Sequence, residues 1–271
     1  MAETVKLGSF CVNGCPVPPD QLIASHDAIG FGDTDRDNPI SFVKWKGVLV
    51  AAHCICRNIS WEELARFGFV SGWPIKIDGN YFLCRMPDMT AVSCELGDEW
   101  DSILDDIGED NNLWNWENRF FWGQNKTPGD YPGWAPVRGF HSARTAGSAE
   151  TKHFRTDIGF RPILEPLPSP LPLSETTLGL RLRVYLGSKT TIGSRLKALG
   201  EPKTPSGFQS EASADRELIE GKLTEFSDYD IILDAERPVM VPLDCPWARQ
   251  VGRSLVIDRA SVTWMGLCKE E

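Results

Sequence analysis

VRGFHSARTAGSAETKHFRTDIGFRPILE, residues 137–165, is the segment around which the chain is organised. Its ends, residues 137–140 and 158–164, are apolar and predict two framework strands. Residues 141–157 follow neither the period of a strand nor that of a helix, so we expect none of them in the core. A polar, varied segment held by rigid strands is typical of a binding surface, and an ordinary surface loop is the alternative.

The composition indicates a globular chain with an acidic balance. With 271 residues, 41% of them hydrophobic, it is long enough for one large domain or two smaller ones. Its formal charge of -10, from 28 basic and 38 acidic residues, argues against a protein that coats nucleic acid. The first ten residues lack a secretion signal, and no apolar run is long enough to span a membrane. We therefore expect a protein that is cytoplasmic or is assembled from the cytoplasm into a larger particle, such as a phage.

Eight cysteines are spread over the chain, and without an export signal reduced thiols are expected. Cys11 with Cys15, and Cys54 with Cys56 beside His53, raise a zinc hypothesis. Their spacings do not form two matched zinc knuckles. Cys54 and Cys56 also alternate along an apolar stretch, which favours packing in the core.

Four local elements are predicted in the first half of the chain, each from its own signal. The signals are β-branched and aromatic residues for a strand, a Ser-x-x-Glu capping box for a short helix, Asp-Gly for a hairpin turn, and helically spaced apolar residues for an amphipathic helix. The ranges are 40–57 for the strand, 61–67 for the short helix between Ser60 and Gly68, 74–85 for the hairpin around Asp78 and Gly79, and 98–108 for the amphipathic helix.

Residues 86–118 include many carboxylates and no Lys or Arg. Oxygen ligands of this kind could hold calcium, although the spacing does not match an EF-hand loop. A solvated acidic helix face is the simpler interpretation.

Residues 100–134 hold five of the ten tryptophans. Such an aromatic concentration can form a platform on which sugars stack, or it can be the packing beneath a surface. We favour packing, because the aromatic residues alternate as they would in a strand that faces a core.

PLPSPLPLSE, residues 166–175, is a proline-rich extended segment that marks a domain boundary. The predicted divisions are a first domain at 1–166, a linker at 167–176 and a small all-β domain at 177–271. Within the last of these, residues 178–186, 218–233 and 254–265 alternate apolar and polar side chains, as strands do.

Short motifs between residues 40 and 165 resemble the C-type-lectin-like fold, in its branch related to formylglycine-generating enzymes. They are NISWEEL (58–64), NYFLCR (80–85), EWD (99–101), GEDNNLWNW (108–116), FWGQ (121–124), VRGF (137–140) and IGFRP (158–162). The last two are similar to the Arg-Gly-Gly-Ser-Trp and Gly-Phe-Arg signatures that bracket the functional segment of that superfamily. The resemblance implies an α+β fold class, with a C-type-lectin-like domain followed by the small all-β domain. Residues 221–233 and 256–262 of the small domain resemble the strands of a five-stranded SH3/Sm-like barrel.

The resemblance also implies where chemistry would lie. Formylglycine-generating members bind copper and oxidise a substrate thiol through a cysteine pair inside the bracketed segment, but this chain has no cysteine between Cys94 and Cys245. Iron-dependent sulfoxide-synthase relatives need a histidine cluster, which four scattered histidines do not supply. We therefore expect no catalytic residues and no metal or other cofactor, with calcium as the one alternative. An enzyme of this superfamily with altered, non-copper chemistry is the competing hypothesis.

A non-catalytic use of this fold occurs in the variable proteins of diversity-generating retroelements of phages and bacteria. There, residues just before a Gly-Phe-Arg-type strand form a replaceable ligand-binding surface, usually near the end of the gene, whereas here a second domain follows. By this resemblance we expect non-enzymatic recognition of a protein or glycan ligand. The expected contacts come from the bracketed segment, with a rim of three tryptophans: Phe140, His141, Ser142, Arg144, Thr145, Ala146, Ser148, Glu150, Lys152, His153 and Phe154, with Trp114, Trp122 and Trp134.

Charge gives a further expectation about partners. Five basic residues in 138–161 face only Glu150 and Asp157 in that range, so the segment is locally positive and an acidic partner is mildly preferred. The small second domain has no basic stripe, which favours docking to an assembly partner over RNA binding.

Overall fold

The computed structural model describes residues 2–25, 27–89, 98–125, 133–174, 177–178, 180–186, 217–227, 230–235, 248–251, 254–258 and 262–267. The chain forms two compact units, Met1–Leu167 and Pro168–Glu271. Three of the cysteines, Cys94, Cys245 and Cys268, lie outside the described residues.

The described part of the first unit is built mainly of short strands, with three helices. In chain order the elements are β1 (Thr4–Lys6), β2 (Ser9–Val12), β3 (Cys15–Pro16), β4 (Gln21–Leu22), β5 (Ile29–Gly32), β6 (Ser41–Trp45), β7 (Val48–Ala51), β8 (Cys56–Arg57), α1 (Trp61–Arg66), β9 (Trp73–Ile77), β10 (Asn80–Arg85), α2 (Glu99–Ile107), α3 (Asn111–Trp114), β11 (Phe120–Trp122), β12 (Trp134–Gly139), β13 (Ala146–Glu150), β14 (Ile158–Phe160) and β15 (Ile163–Leu167).

These strands form three sheets. The first has the order β1-β6-β7-β15-β10-β9, the second the order β13-β12-β11-β14-β8-β4, and the third the order β3-β2-β5. Strand β14 belongs to the second sheet and β15 to the first, so the two residues between them, Arg161 and Pro162, connect these sheets.

Three local predictions are confirmed. Helix α1 begins after Ser60, whose hydroxyl accepts a hydrogen bond from the Glu63 N–H at 3.1 Å. Strands β9 and β10 form a hairpin whose turn residues, Asp78 and Gly79, have φ angles of 48° and 80°. Helix α2 extends over nine residues from its N-cap at Asp98 and buries its apolar face.

The prediction of one strand at 40–57 is wrong. Lys46 and Gly47 have φ angles of 43° and 84°, and they reverse the chain between β6 and β7. Residues 56–57 then form β8 in a different sheet. The apolar pattern continues across the turn because both arms of the hairpin are buried, so it resembles a single strand.

The prediction that residues 141–157 stay out of the core is also wrong. Residues 146–150 form β13, which pairs antiparallel with β12 from Trp134↔Glu150 to Arg138↔Ala146. Ala143, Ala149 and Thr151 are all less than 3% exposed. Small and hydroxylated side chains pack there without the large apolar residues that make a strand period visible.

Arg161 lies in the middle of the first unit's core and is fully buried. Its guanidinium donates to the carbonyls of Ala51 at 3.0 Å, Ala52 at 2.7 Å and Trp114 at 2.5 Å. It also lies 4.6 Å from the ring centroid of Phe121, and further aromatic rings surround it. Burial lowers the pKa of Arg161 to about 10.

The glycines of the two bracketing motifs are required by close backbone approach. A Cβ on Gly139, which has a φ of +111°, would lie 2.2 Å from the Arg119 carbonyl oxygen. A Cβ on Gly159 would lie 2.6 Å from the Cys56 carbonyl oxygen. Both contacts are far inside van der Waals distance, so these positions accept only glycine.

The described strands of the second unit form one antiparallel sheet, in agreement with the β character predicted for it. Its described strands are β16 (Arg181–Leu186), β17 (Glu217–Phe226), β18 (Asp230–Ala235), β19 (Ala248–Val251), β20 (Ser254–Asp258) and β21 (Val262–Leu267), in the sheet order β19-β20-β18-β17-β16-β21. The described strands therefore number six instead of the expected five, and the range 218–233 is a hairpin of β17 and β18. Leu171 and Leu173 pack against this unit's core, so that part of the predicted linker belongs to the second unit.

Replacing Gly139 with Ala should lower the free energy of unfolding by at least about 2 kcal/mol, because the new Cβ meets a backbone carbonyl and φ is positive. Gly147 in β13 is the matched control. A Cβ there would lie 3.5 Å from Val137, an ordinary contact, so Gly147→Ala should change stability by less than about 1 kcal/mol. Urea denaturation of both variants measures the difference, and equal effects would show that the close approach at Gly139 is not constraining.

Candidate recognition surface

The surface begins where β12 ends and continues through an arch, residues 140–145, into β13 and then into residues 151–154. We call residues 140–154 the recognition segment. Gly139 donates to the Thr145 carbonyl at 3.0 Å and closes the base of the arch. Thr151 donates to the Gly133 carbonyl at 2.8 Å and fixes the far end of β13. Both ends of the arch and of β13 are therefore held by backbone hydrogen bonds.

Arg138, the last side chain of β12 before the motif glycine, ties this strand to helix α2. Its side chain is fully buried, it forms an ion pair with Asp98, and it lies 3.3 Å from an Asp101 carboxylate oxygen. It also donates to the Arg144 carbonyl at 3.1 Å. One guanidinium thus fixes the strand, the helix N-terminus and the arch together.

Arg144 ties the arch to the same helix from outside. Its guanidinium donates to Glu109 at 2.6 Å, to Asp105 at 2.6 Å and to Asp101 at 3.4 Å, with its side chain 36% exposed. The hydrogen bond that Arg144 donates to Glu109 is the main cause that raises the pKa of Arg144. In the structure Arg144 anchors the segment, and its expected contact with a ligand stays a prediction.

These contacts assign a role to the acidic stretch that sequence reasoning missed. Asp98, Asp101, Asp105 and Glu109, which we call the anchor carboxylates, are spaced by three, four and four residues, from the N-cap of α2 to the residue after its C-cap Gly108. Arg138 and Arg144 pair with all four, so this acidic face is partly compensated and keeps a net negative charge. Among the described residues, no group of three or more His, Cys, Asp or Glu side chains is arranged to hold a metal ion. The helical spacing of the carboxylates was a visible signal, but their partners were not.

The same ion pairs compensate most of the positive charge that the sequence predicted for residues 138–161. Arg138 and Arg144 pair with the anchor carboxylates, Arg155 pairs with Asp157 at 2.6 Å, and Arg161 is buried elsewhere in the core. Lys152 is the one exposed cation of the set that makes no ion pair with the described residues. The uncompensated positive charge on which the preference for an acidic partner depended is therefore reduced to Lys152.

Asp101 is an anchor carboxylate whose pKa is raised above its ordinary value. Burial raises its pKa and the nearby Asp98 charge raises it further, while Arg138 and Arg144 act in the opposite direction. Its charge is thus disfavoured by its surroundings despite two arginines nearby.

Phe140 turns the chain into the arch in an unusual backbone conformation. Its φ is 79°, and its N–H donates to the carbonyls of Trp116 and Arg119, each at 2.9 Å. Its ring stacks on Phe120 with centroids 4.9 Å apart, and His141 meets its edge at 4.8 Å. Two backbone acceptors and a stacked ring hold a conformation that a bulky residue rarely adopts.

The predicted contact residues divide into three groups by exposure. Phe140, Ser142, Arg144, Thr145, Ala146 and Trp134 are half-buried, and Ser142 and Thr145 hydrogen-bond to each other at 2.9 Å. Trp114 and Trp122 are fully buried, so neither can form an exposed rim. Each instead donates its indole N–H to a backbone carbonyl, of Gly108 and Ile59 respectively. The exposed group is His141, Ser148, Glu150, Lys152, His153 and Phe154.

The exposed group is weakly tied to its surroundings. His153 lies 2.8 Å from Glu150, and both side chains are about half exposed or more, at 64% and 47%. Phe154 is 39% exposed although it is a large apolar residue. Exposed ion pairs contribute little to stability. An exposed aromatic ring has an unfavourable hydration free energy, which burial against a partner would remove. These side chains can serve contacts made outside the chain.

The described cysteines near the motif strands are ordinary core thiols. Burial raises the pKa of Cys54 to about 11 and raises that of Cys56 well above its usual value. Both are therefore protonated at neutral pH and poor nucleophiles. Cys11 and Cys15 lie in the separate β2-β3 hairpin.

Comparison with protein-family models, with curated proteins and with solved structures gives no match. The resemblance to the formylglycine-generating superfamily therefore depends on the short motifs alone. No helix in the described part of the chain is long and apolar enough to cross a membrane.

Asp98→Asn and Asp101→Asn separate the two carboxylates beside Arg138. Asn remains a good N-cap, so Asp98→Asn removes mainly the charge that faces the buried guanidinium and should cost about 2–4 kcal/mol. Asp101→Asn should cost less than about 1 kcal/mol, because Arg138 keeps Asp98 and the Asp101 charge is already disfavoured. Chemical denaturation at neutral pH measures both, and a larger loss from Asp101→Asn would show that Asp98 is not the main anchor.

Proposed function

We propose that the first unit is a non-enzymatic recognition module of C-type-lectin-like design whose partner is a protein bound through the recognition segment. The observation that carries the proposal is the contrast between backbone and side chains in this segment. Its backbone is held by Arg138, Arg144 and the β12-β13 ladder, while His141, His153 and Phe154 point into solvent. A rigid backbone that presents exposed side chains reduces the entropy lost on binding.

The exposed chemistry suits a protein partner better than a glycan. Of the five tryptophans in residues 100–134 that could have supplied sugar-stacking faces, three are buried, and Trp116 and Trp134 are half-buried. Phe154 offers an apolar anchor, and Lys152 with His153 supplies polar contacts around it. This mixture is common at protein interfaces.

We further propose that the segment varies in the manner of the target proteins of diversity-generating retroelements. Side chains that make few internal contacts can change without unfolding the protein, and the two buried motif arginines that hold the scaffold, Arg138 and Arg161, lie outside the segment. A template repeat that matches the codons of residues 140–154, together with a reverse transcriptase gene beside it, would support this part. A gene neighbourhood without either would contradict it.

The second unit is proposed as the docking module. Three leucines of this unit, Leu178, Leu180 and Leu267, are 44%, 38% and 54% exposed. Exposed large apolar residues in one small unit favour contact with another macromolecule. The competing enzyme hypothesis gains no support from the described thiols, since Cys54 and Cys56 are protonated and buried.

The triple variant His141→Ala, His153→Ala, Phe154→Ala tests the recognition role. Its free energy of unfolding should lie within about 1 kcal/mol of the wild-type value, because the variant removes only exposed contacts. It should also lose the binding partners that the immobilised wild-type chain captures from host lysate, as identified by mass spectrometry and re-measured with purified partner by calorimetry. Arg144→Ala is the contrasting control, since it should destabilise the arch as well.

Two outcomes would contradict the proposal. If the triple variant lost several kcal/mol of stability, these side chains would belong to the fold. If it bound a purified partner as tightly as the wild type, the recognition surface would lie elsewhere.

A further inference from the structure

Strand β13 is an edge strand of the second sheet, and its outer side has open backbone groups. Gly139 donates to Thr145 and Thr151 donates to Gly133, which fixes the pattern of the β12-β13 ladder. Bonded residues alternate in an antiparallel ladder, so positions 145, 147, 149 and 151 bond to β12 and positions 146, 148 and 150 face away.

These outward groups lack backbone partners in the part of the chain that the structure describes. No described backbone group bonds to Ala146 or Ser148 on that side, and at Glu150 only the carbonyl is used, by the His153 N–H at 3.2 Å. Natural edge strands are usually protected by proline, by a bulge or by a lysine within the strand. The sequence of β13, Ala-Gly-Ser-Ala-Glu, has no proline or lysine, its register with β12 is regular, and its one charged residue, Glu150, stands at its end.

We infer that this edge pairs with the same edge of a second copy of the chain, as an antiparallel β13-β13 interface with a two-fold axis at Ser148. In that register Ser148 faces Ser148 of the other copy, and Ala146 faces Glu150 of the other copy. Each facing pair exchanges two N–H to carbonyl bonds, so the interface contains about six backbone hydrogen bonds.

The side chains permit this close approach. Ala146 and Ser148 are small, and the one long side chain of the outward set, Glu150, faces an alanine. A dimer centred elsewhere in β13 would place Glu150 against a larger neighbour or would shorten the paired region. The register centred on Ser148 uses all three outward residues.

Charge at the two ends of the strand selects a second copy as the occupant. At one end Arg144 is shared by Asp105 and Glu109, which leaves a net negative charge. Beyond the other end is Lys152, exposed and without an ion pair to any described residue. In the inferred register position 152 lies opposite position 144 of the other copy. Each Lys152 is therefore placed beside the other copy's cluster of Arg144, Asp105 and Glu109, whose net charge is negative, twice by symmetry.

The inference does not depend on the proposed function. Pairing through β13 leaves His141 and Phe154 outside the paired positions, so two recognition surfaces would be displayed by one assembly. Two linked sites bind a repetitive target more tightly than one site does.

Sedimentation velocity of the full chain, from low micromolar to several hundred micromolar, tests the interface without any ligand. We expect a reversible change from the 30.2 kDa monomer to twice that mass. Ser148→Pro removes an N–H that makes no bond in the monomer, so it should keep the melting temperature while it weakens dimerisation at least about tenfold. Ser148→Thr is the matched control, because it keeps the N–H and favours a strand, and it should dimerise like the wild type.

Amide hydrogen exchange gives a second measurement that needs no variant. The amides of residues 146, 148 and 150 should exchange quickly in dilute solution and become protected at high concentration, whereas those of 147 and 149 should be protected in both. Three results would each overturn the inference. The chain could stay monomeric at several hundred micromolar, or a folded Ser148→Pro could dimerise as the wild type does. The amide exchange rates at 146, 148 and 150 could also be independent of protein concentration. If Ser148→Pro does not fold, the exchange pattern of the wild type decides.

Discussion

Arg161 places a full positive charge in the core of the first unit with no carboxylate bonded to it among the described residues. Its partners are backbone carbonyls from the end of β7 and from α3, together with the ring of Phe121. Because it also lies in the link between β14 and β15, this one guanidinium joins two sheets and a helix. A buried charge is tolerated only when its hydrogen bonds are supplied, so loss of any of these elements would leave the charge uncompensated. The position of the late strands relative to the early ones therefore depends on it.

The recognition segment lies between two buried arginines that are satisfied in different ways. Arg161 on its far side uses neutral carbonyls, whereas Arg138 on its near side uses carboxylates of α2. Arg138 is next to Gly139 and Arg161 is two residues after Gly159, and at both glycines the backbone of another segment is too close for a side chain. The Arg-Gly and Gly-Phe-Arg pairs are thus structural features of the scaffold. Their presence argues for the architecture of the bracketed segment and carries no chemistry of its own.

The sequence predicted those parts of the fold whose causes are local. The cap at Ser60, the Asp78-Gly79 turn and the apolar face of α2 each depend on residues within a few positions of one another, and all three occur as expected. Strand β13 was missed because its one buried residue is the small Ala149, so no large apolar side chains mark a strand period. The internal partners of Arg144 were not predicted because they lie about forty positions earlier in the chain, and no local pattern indicates which acidic side chains a basic one will meet.

Two kinds of contact are proposed for residues 140–154, and substitutions affect them differently. Contacts through His141 or Phe154 depend on side-chain identity, so a replaceable surface changes its partner whenever these residues change. Pairing along β13 uses backbone N–H and carbonyl groups, which every residue except proline supplies. A backbone interface can therefore persist while the neighbouring side chains vary, provided that the paired positions stay small enough for close approach. The small residues of β13 meet this condition, because a small side chain at a paired position leaves room for a variable neighbour on either side.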